Sequence, residues 1–120
     1  MKKIIVLLVL LLSLTACGKQ EEEENKDLLA TIKERGTLVV ATEGDWSPYT
    51  YHDEETNELV GFDVELGKMI ADKLGVKVEY KETDWDSILA GVQSGSFDLG
   101  INGITYSEER AQSFNFSTPY

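Results

Sequence analysis

The sequence predicts an α/β fold, a mainly parallel sheet with flanking helices. Three observations lead there. Thr37–Thr42, Val76–Glu82 and Leu99–Ile101 are short runs of β-type composition. Between them lie two amphipathic segments, Asp63–Leu74 and Ser87–Gln93, with apolar residues at helical spacing. The connections are brief. Strands that alternate with helices over short links pair in parallel, because each helix carries the chain back to the start of the next strand.

The chain of 120 residues opens with Met1–Ala16, which reads as a leader. Lys2-Lys3 supply a positive start, and Ile4–Leu12 is an unbroken apolar run, shorter than the roughly 20 residues that span a bilayer. Leu14-Thr15-Ala16-Cys17 resembles the lipobox of bacterial lipoproteins: a branched residue, two small ones, then Cys. That resemblance implies cleavage before Cys17 and a diacylglyceryl thioether on its sulfur. The alternative is an ordinary secretory signal that happens to contain Cys. Gly18–Lys26, with the run Glu21–Glu24 and no apolar residue to bury, is expected to be an acidic disordered tether. The folded unit is then expected over 27–120.

Asp27–Arg35 reads as a helix with Asp27 as N-cap, an apolar stripe of Leu28, Leu29 and Ile32, and Gly36 as its stop. Thr37–Thr42 is a continuous β-type run suited to a strand buried on both faces. Glu43–Pro48 is the loop at its C-terminal end. Tyr49–Tyr51 and Leu59–Gly61 flank a polar turn, His52–Glu58, and are expected to pair as a hairpin, with His52 a solvated loop residue. Helix Asp63–Leu74 sets Leu66, Met69, Ile70 and Leu74 on one face and ends at Gly75. Strand Val76–Glu82 follows, with Asp84–Asp86 as a connector. Helix Ser87–Gln93 turns Ile88, Leu89 and Val92 inward, and Leu99–Ile101 is the third strand. Ligands of open α/β sheets bind at the C-terminal strand ends. Here those ends carry Glu43–Pro48, Thr83–Asp86 and Asn102–Arg110.

Composition excludes several classes. Against 22 acidic residues stand 11 basic ones. Removal of Lys2 and Lys3 with the leader leaves nine, a net charge of −13. Nucleic-acid binding needs a basic face, so no nucleic-acid partner is expected. One Cys and one His make neither a zinc cluster, a disulfide nor a Cys/His nucleophile pair, and no metal or cofactor is expected.

Asn102–Arg110, N-G-I-T-Y-S-E-E-R, carries the most chemistry. Ser107 before Glu108 and Glu109 reads as a helix start, a hydroxyl cap with acids in the first turn. Strand-end backbone donors, Thr105 and Arg110 would converge on a point suited to a carboxylate, which the guanidinium fork grips in two places. The competing reading pairs Arg110 with Glu108 or Glu109 on a wet helix face, an interaction of small energy.

Leu38–Tyr120 resembles family 3 of the bacterial extracellular solute-binding proteins, the amino-acid receptors of ABC importers. Four segments carry the resemblance in order: L-V-V-A-T-E-G-D-W-S-P-Y (Leu38–Tyr49), G-F-D-V-E-L (Gly61–Leu66), W-D-S-I-L-A-G-V-Q-S-G-S-F-D (Trp85–Asp98), and G-I-T-Y-S-E-E-R (Gly103–Arg110) closing with F-S-T-P-Y (Phe116–Tyr120). T-E-G-D-W-S-P-Y-T-Y-H is most similar to the cystine and polar amino-acid branch.

The resemblance implies a periplasmic-binding-protein-like first lobe and a site residue by residue. Arg110 matches the arginine on the ligand α-carboxylate. Thr105 matches the residue that assists it through N–H and hydroxyl, and Gly103 lies where a backbone carbonyl meets the α-ammonium. Trp46 and Trp85 match two aromatic positions that sandwich the ligand. Glu43 occupies an acidic position that contacts the ammonium or side chain. Gly61-Phe62-Asp63 matches a fold signature in which glycine turns the chain, Phe62 packs and Asp63 caps the helix. The family has two lobes, whereas this sequence stops at Tyr120, near the passage into the second. The expectation is therefore a truncated first lobe without the second-lobe acid. The implied role is a non-enzymatic, lipid-anchored receptor on the extracytoplasmic face of the cell membrane, passing cystine, glutamine or another polar amino acid to an ABC permease. A cyclohexadienyl dehydratase-like enzyme and the sensor domain of a membrane kinase or receptor channel are alternatives on the same fold.

Overall fold

The computed structural model describes residues 27–120. The leader, Cys17 and the acidic tether lie outside the described residues. The elements run α1 (Leu28–Arg35), β1 (Thr37–Thr42), β2 (Asp45–Trp46), β3 (Thr50–His52), β4 (Leu59–Val60), α2 (Phe62–Leu74), β5 (Lys77–Glu82), α3 (Trp85–Gln93), β6 (Leu99–Gly100) and α4 (Glu108–Ala111).

β1 is the central strand of a parallel sheet ordered β5-β1-β6. It pairs with β5 from Thr37↔Lys77 to Thr42↔Glu82, and with β6 at Val40↔Leu99 and Ala41↔Gly100. Paired on both sides, β1 buries Leu38, Val40, Ala41 and Thr42. The chain steps from β1 outward to β5, then back across β1 to β6. Right-handed crossovers in opposite directions put α2 and α3 on opposite faces. Ile32, Leu38, Val40, Ala71 and Ile101 form the main core, flanked by Leu66, Ile70 and Leu74. α3 closes the other face with Ile88, which is fully buried.

Asp27 caps α1 as expected, and Gly36 ends it in the left-handed region. The apolar stripe of α1 is narrower than predicted: Ile32 is buried, whereas Leu28 is 51% exposed and Leu29 also faces out. Met69 likewise is 63% exposed rather than inward. α1 is held by charge as well. Arg35 donates to the Asp98 carboxylate and to the Thr37 carbonyl, while Asp98 also accepts the Val39 N–H at 2.8 Å.

The predicted hairpin forms, with Tyr51↔Val60 and His52↔Leu59 antiparallel. A third short strand within Glu43–Pro48, β2, adds to it through Asp45↔Tyr51 and Trp46↔Thr50. His52 is part of β3 rather than a free loop residue. Its Nε2 lies 2.5 Å from Glu82 Oε1 and its Nδ1 2.9 Å from the Asn57 carbonyl, tying the small sheet to the end of β5. Trp85 and Asp86 belong to α3 and not to a connector: Asp84 is the N-cap, accepting the Ser87 N–H at 3.0 Å.

The Gly61-Phe62-Asp63 turn corrects two expectations. Gly61, at φ 130°, is the N-cap residue, and Asp63 lies inside the first turn without capping it. A Cβ on Gly61 would collide with the Tyr49 carbonyl, so the close approach of α2 to the hairpin requires glycine. Phe62 is exposed and stacks on Tyr120, ring centroids 6.0 Å apart, instead of entering the core.

Candidate functional site

The C-terminal ends of β1 and β6 are joined by one buried side chain. Asn102, 3% exposed, follows β6 and reaches the start of the loop after β1. Its Oδ1 accepts the Glu43 N–H at 2.9 Å and the Thr42 hydroxyl at 2.9 Å. Thr42 in turn lies 2.8 Å from the Thr50 hydroxyl, which accepts the Gly44 N–H at 3.1 Å. Donation from Thr50 to Thr42 and from Thr42 to Asn102 satisfies every hydroxyl in this buried network. The Asn102 amide then presents Nδ2 to Glu43 Oε2 at 2.6 Å, a charge-assisted bond.

Gly103 comes next. At φ 60° it takes a left-handed turn, and a Cβ there would stand 3.3 Å from Trp46 Nε1. The Gly103 N–H donates to Asp63 Oδ2 at 2.5 Å. Asp63, 1% exposed, thus ties the start of α2 to the Gly103 turn, and Tyr120 Oη lies 3.4 Å from its other oxygen. Burial raises the Asp63 carboxyl above its ordinary pKa, opposed by the hydrogen bonds from Gly103 and Tyr120. The Gly103 carbonyl has no partner among the described residues. Trp46 is 54% exposed beside it.

Ser107 caps α4, accepting the Arg110 N–H at 3.2 Å, as the sequence predicted. That short turn aims Arg110 back along the loop. Its Nη1 donates to the Thr105 carbonyl at 2.7 Å, and its guanidinium carbon lies 5.3 Å from the centre of the Trp85 ring. The ring face attracts the cation. Among the described residues no ion pair joins Arg110 to Glu108 or Glu109. Nε and Nη2 have no partner among the described residues, and neither do the Thr105 N–H and hydroxyl. An open depression beside Arg110 is lined by Leu89, Thr105, Tyr106 and Phe114.

The family model of the bacterial extracellular solute-binding proteins, family 3, matches residues 38–120. This chain belongs to that family. The chain is 41% identical to the L-cystine-binding protein TcyA of Bacillus subtilis, covering all of this chain and 48% of that protein. It is 35% identical to the cyclohexadienyl dehydratase of Pseudomonas aeruginosa, over 91% of this chain and 40% of that one. Among solved structures it resembles the arginine-bound form of domain 1 from TmArgBP, the ArgBP of T. maritima, with a TM-score of 0.72 and 38% identity over 75% of this chain and 71% of that one. The chain spans about half the length of the curated relatives it matches. Its α/β fold with a parallel sheet is the one found in the solved family 3 neighbours.

Within this family 3 chain the six residues singled out in the sequence fall into two groups on one strand edge. Glu43, Trp46 and Gly103 gather around Asn102. Trp85, Thr105 and Arg110 make the second group, linked to the first by the 103–105 backbone. Trp46 and Trp85 do not touch each other. Sequence reasoning missed Asn102 and Asp63. A polar residue directly after Leu99-Gly100-Ile101, at a strand end facing the ligand edge, was the available signal for Asn102. Asp63 gave none, since it reads as the cap of its helix.

Proposed function

We propose that this chain is the first lobe of an extracytoplasmic amino-acid receptor of an ABC importer, anchored to the membrane by lipid on Cys17. The observation that carries the reading is Arg110. Its guanidinium is oriented by Trp85 and the Thr105 carbonyl, while its Nε–Nη2 edge keeps two donors for a carboxylate. Thr105 N–H and hydroxyl supply further donors nearby, and the Gly103 carbonyl and Glu43 supply acceptors for an ammonium. Together these groups suit an α-amino acid. The binding activity named for TcyA and the arginine held by domain 1 of TmArgBP support the same class of ligand. Trp46 and Trp85 favour an extended polar or sulfur-bearing side chain, with cystine the first candidate and glutamine the next. Capture is closure over the bound ligand, driven by contacts that only the closed state makes. No bond to the ligand is made or broken.

A thermal-shift screen against amino acids, sugars and divalent metal ions tests this. A ligand at 100 times its Kd stabilises the folded state by about 2.7 kcal/mol. Polar amino acids are expected to raise the melting temperature. A response confined to sugars or metals overturns the reading. The dehydratase relative supports a second reading, an enzyme on the same fold. Turnover of a cyclohexadienyl acid that is lost in Arg110→Ala would establish that reading in place of ours.

A further inference from the structure

We propose that Asn102 is a positioning residue that gives the site its selectivity for an ammonium group, acting through Glu43; this rests on the amino-acid reading above. Asn102 is almost wholly buried, and its side-chain amide is committed except for one hydrogen. The Glu43 N–H can only donate, so the side-chain atom facing it is the amide oxygen. That assignment leaves the NH2 for the Glu43 carboxylate and forbids the flipped amide. One residue therefore grips Glu43 twice, by backbone and by side chain, and fixes both ends of its torsional freedom. Only Oε2 is bonded. Glu43 is half-buried, and no buried side-chain oxygen among the described residues lacks a partner, so Oε1 is accessible. Asn102 thereby holds one oxygen and leaves the other accessible and without a partner among the described residues. A carboxylate so held binds an ammonium without first losing rotamer freedom.

The experiment measures selectivity rather than affinity alone. L-cystine, L-glutamine and L-arginine are titrated calorimetrically into the full chain, each beside its deaminated acid (dithiodipropionic, glutaramic and guanidinovaleric acid) and its α-amide. Wild type is expected to prefer a bound amino acid over both analogues. In Asn102→Ala the preference over the deaminated acid falls roughly 10- to 100-fold, the range for hydrogen bonds to charged groups. The preference over the amide, which reports Arg110, stays as it was. Glu43→Gln gives the same pattern, and adding Asn102→Ala to it changes the ammonium preference no further. Should Asn102→Ala not fold, Asn102→Ser keeps a hydroxyl near Thr42 but is too short to reach Glu43, and carries the same expectation. Equal loss of both preferences, or retention of both, overturns the role assigned to Asn102. If none of the three amino acids binds wild type, the amino-acid reading itself falls, and this inference with it.

Discussion

Arg110 sits on a ring face, gives one hydrogen bond to a backbone carbonyl and leaves its other donors toward the open edge. A bidentate bond from that edge to a carboxylate, formed inside a closing cleft, costs about 2–5 kcal/mol to remove. At about 1.4 kcal/mol per decade that is roughly 30- to 4000-fold in affinity, so Arg110→Ala titrated against the best amino acid should show a loss of that size. Arg110→Lys should also lose much of it, because an ammonium does not reproduce the fork. A loss within about 1 kcal/mol would mean a surface role for Arg110. Ser107, Thr105 and Arg110 were legible because hydroxyl, acids and guanidinium stand at local spacing. His52 was not, since its partner Glu82 is distant in sequence. Its pKa is raised, first by the Asn57 carbonyl and then by Glu82, which together favour the doubly protonated ring. The contribution of a raised histidine is complete below its unfolded value of 6.5 and is lost as pH rises through the higher folded value. An NMR titration should place the His52 midpoint above 6.5, and Glu82→Gln should lower it only in part, because the Asn57 carbonyl remains. An unmoved midpoint in Glu82→Gln would refute the pairing.

At the scale of elements, the periodicity located α1, α2, α3 and all three parallel strands, because burial on a fixed period is a local property of sequence, whereas α4 was legible from its Ser107 cap. The boundaries that moved did so for tertiary reasons. Trp85 joins α3 because Asp84 finds the Ser87 N–H, and β2 exists only because β3 lies beside it. Leu28 and Met69 look inward by periodicity, yet among the described residues no neighbouring element covers them. Asp63 is expected to cap its helix, but the Gly103 N–H, 40 residues on in sequence, claims it. Two glycines separate local from tertiary demands. Gly36 has φ 73° with nothing within 4 Å of a Cβ, so Gly36→Ala should cost only the left-handed conformation, roughly 1 kcal/mol. Gly61→Ala meets both a positive φ and the Tyr49 carbonyl, and overpacking adds about 1–3 kcal/mol to the conformational strain. At about 4–8 °C per kcal/mol for a domain of this size, circular-dichroism melts should separate the two variants by at least several degrees. Equal melting temperatures would show that α2 does not need its close approach to the hairpin.

The whole molecule poses a question of charge against membrane. Without the proposed leader, Met1–Ala16, the chain carries a net charge of −13, including the run Glu21–Glu24 next to the proposed anchor. An anionic bilayer repels such a protein, and among the described residues no helix is long and apolar enough to cross a membrane. If the protein is membrane-bound, the attachment must be hydrophobic and held against electrostatics. Acyl chains on Cys17 supply about 0.8 kcal/mol per buried CH₂, and one chain alone holds only marginally, so two or more are required. A lipid anchor differs from ordinary peripheral binding in its response to salt. High salt screens charge with a Debye length of about 3 Å at 1 M, which would release a protein held by ionic contacts. Here salt weakens the repulsion instead, and wild type should stay in the membrane fraction through a high-salt wash and leave only in detergent. Cys17→Ser should appear in the soluble fraction or as an unprocessed precursor, and should take up no labelled palmitate. With such an anchor, the four glutamates are proposed as a spacer between it and the folded lobe. Replacing Glu21–Glu24 with Gln should leave membrane retention unchanged, because the anchor does not depend on them. Equal palmitate labelling of wild type and Cys17→Ser would remove Cys17 as the attachment point.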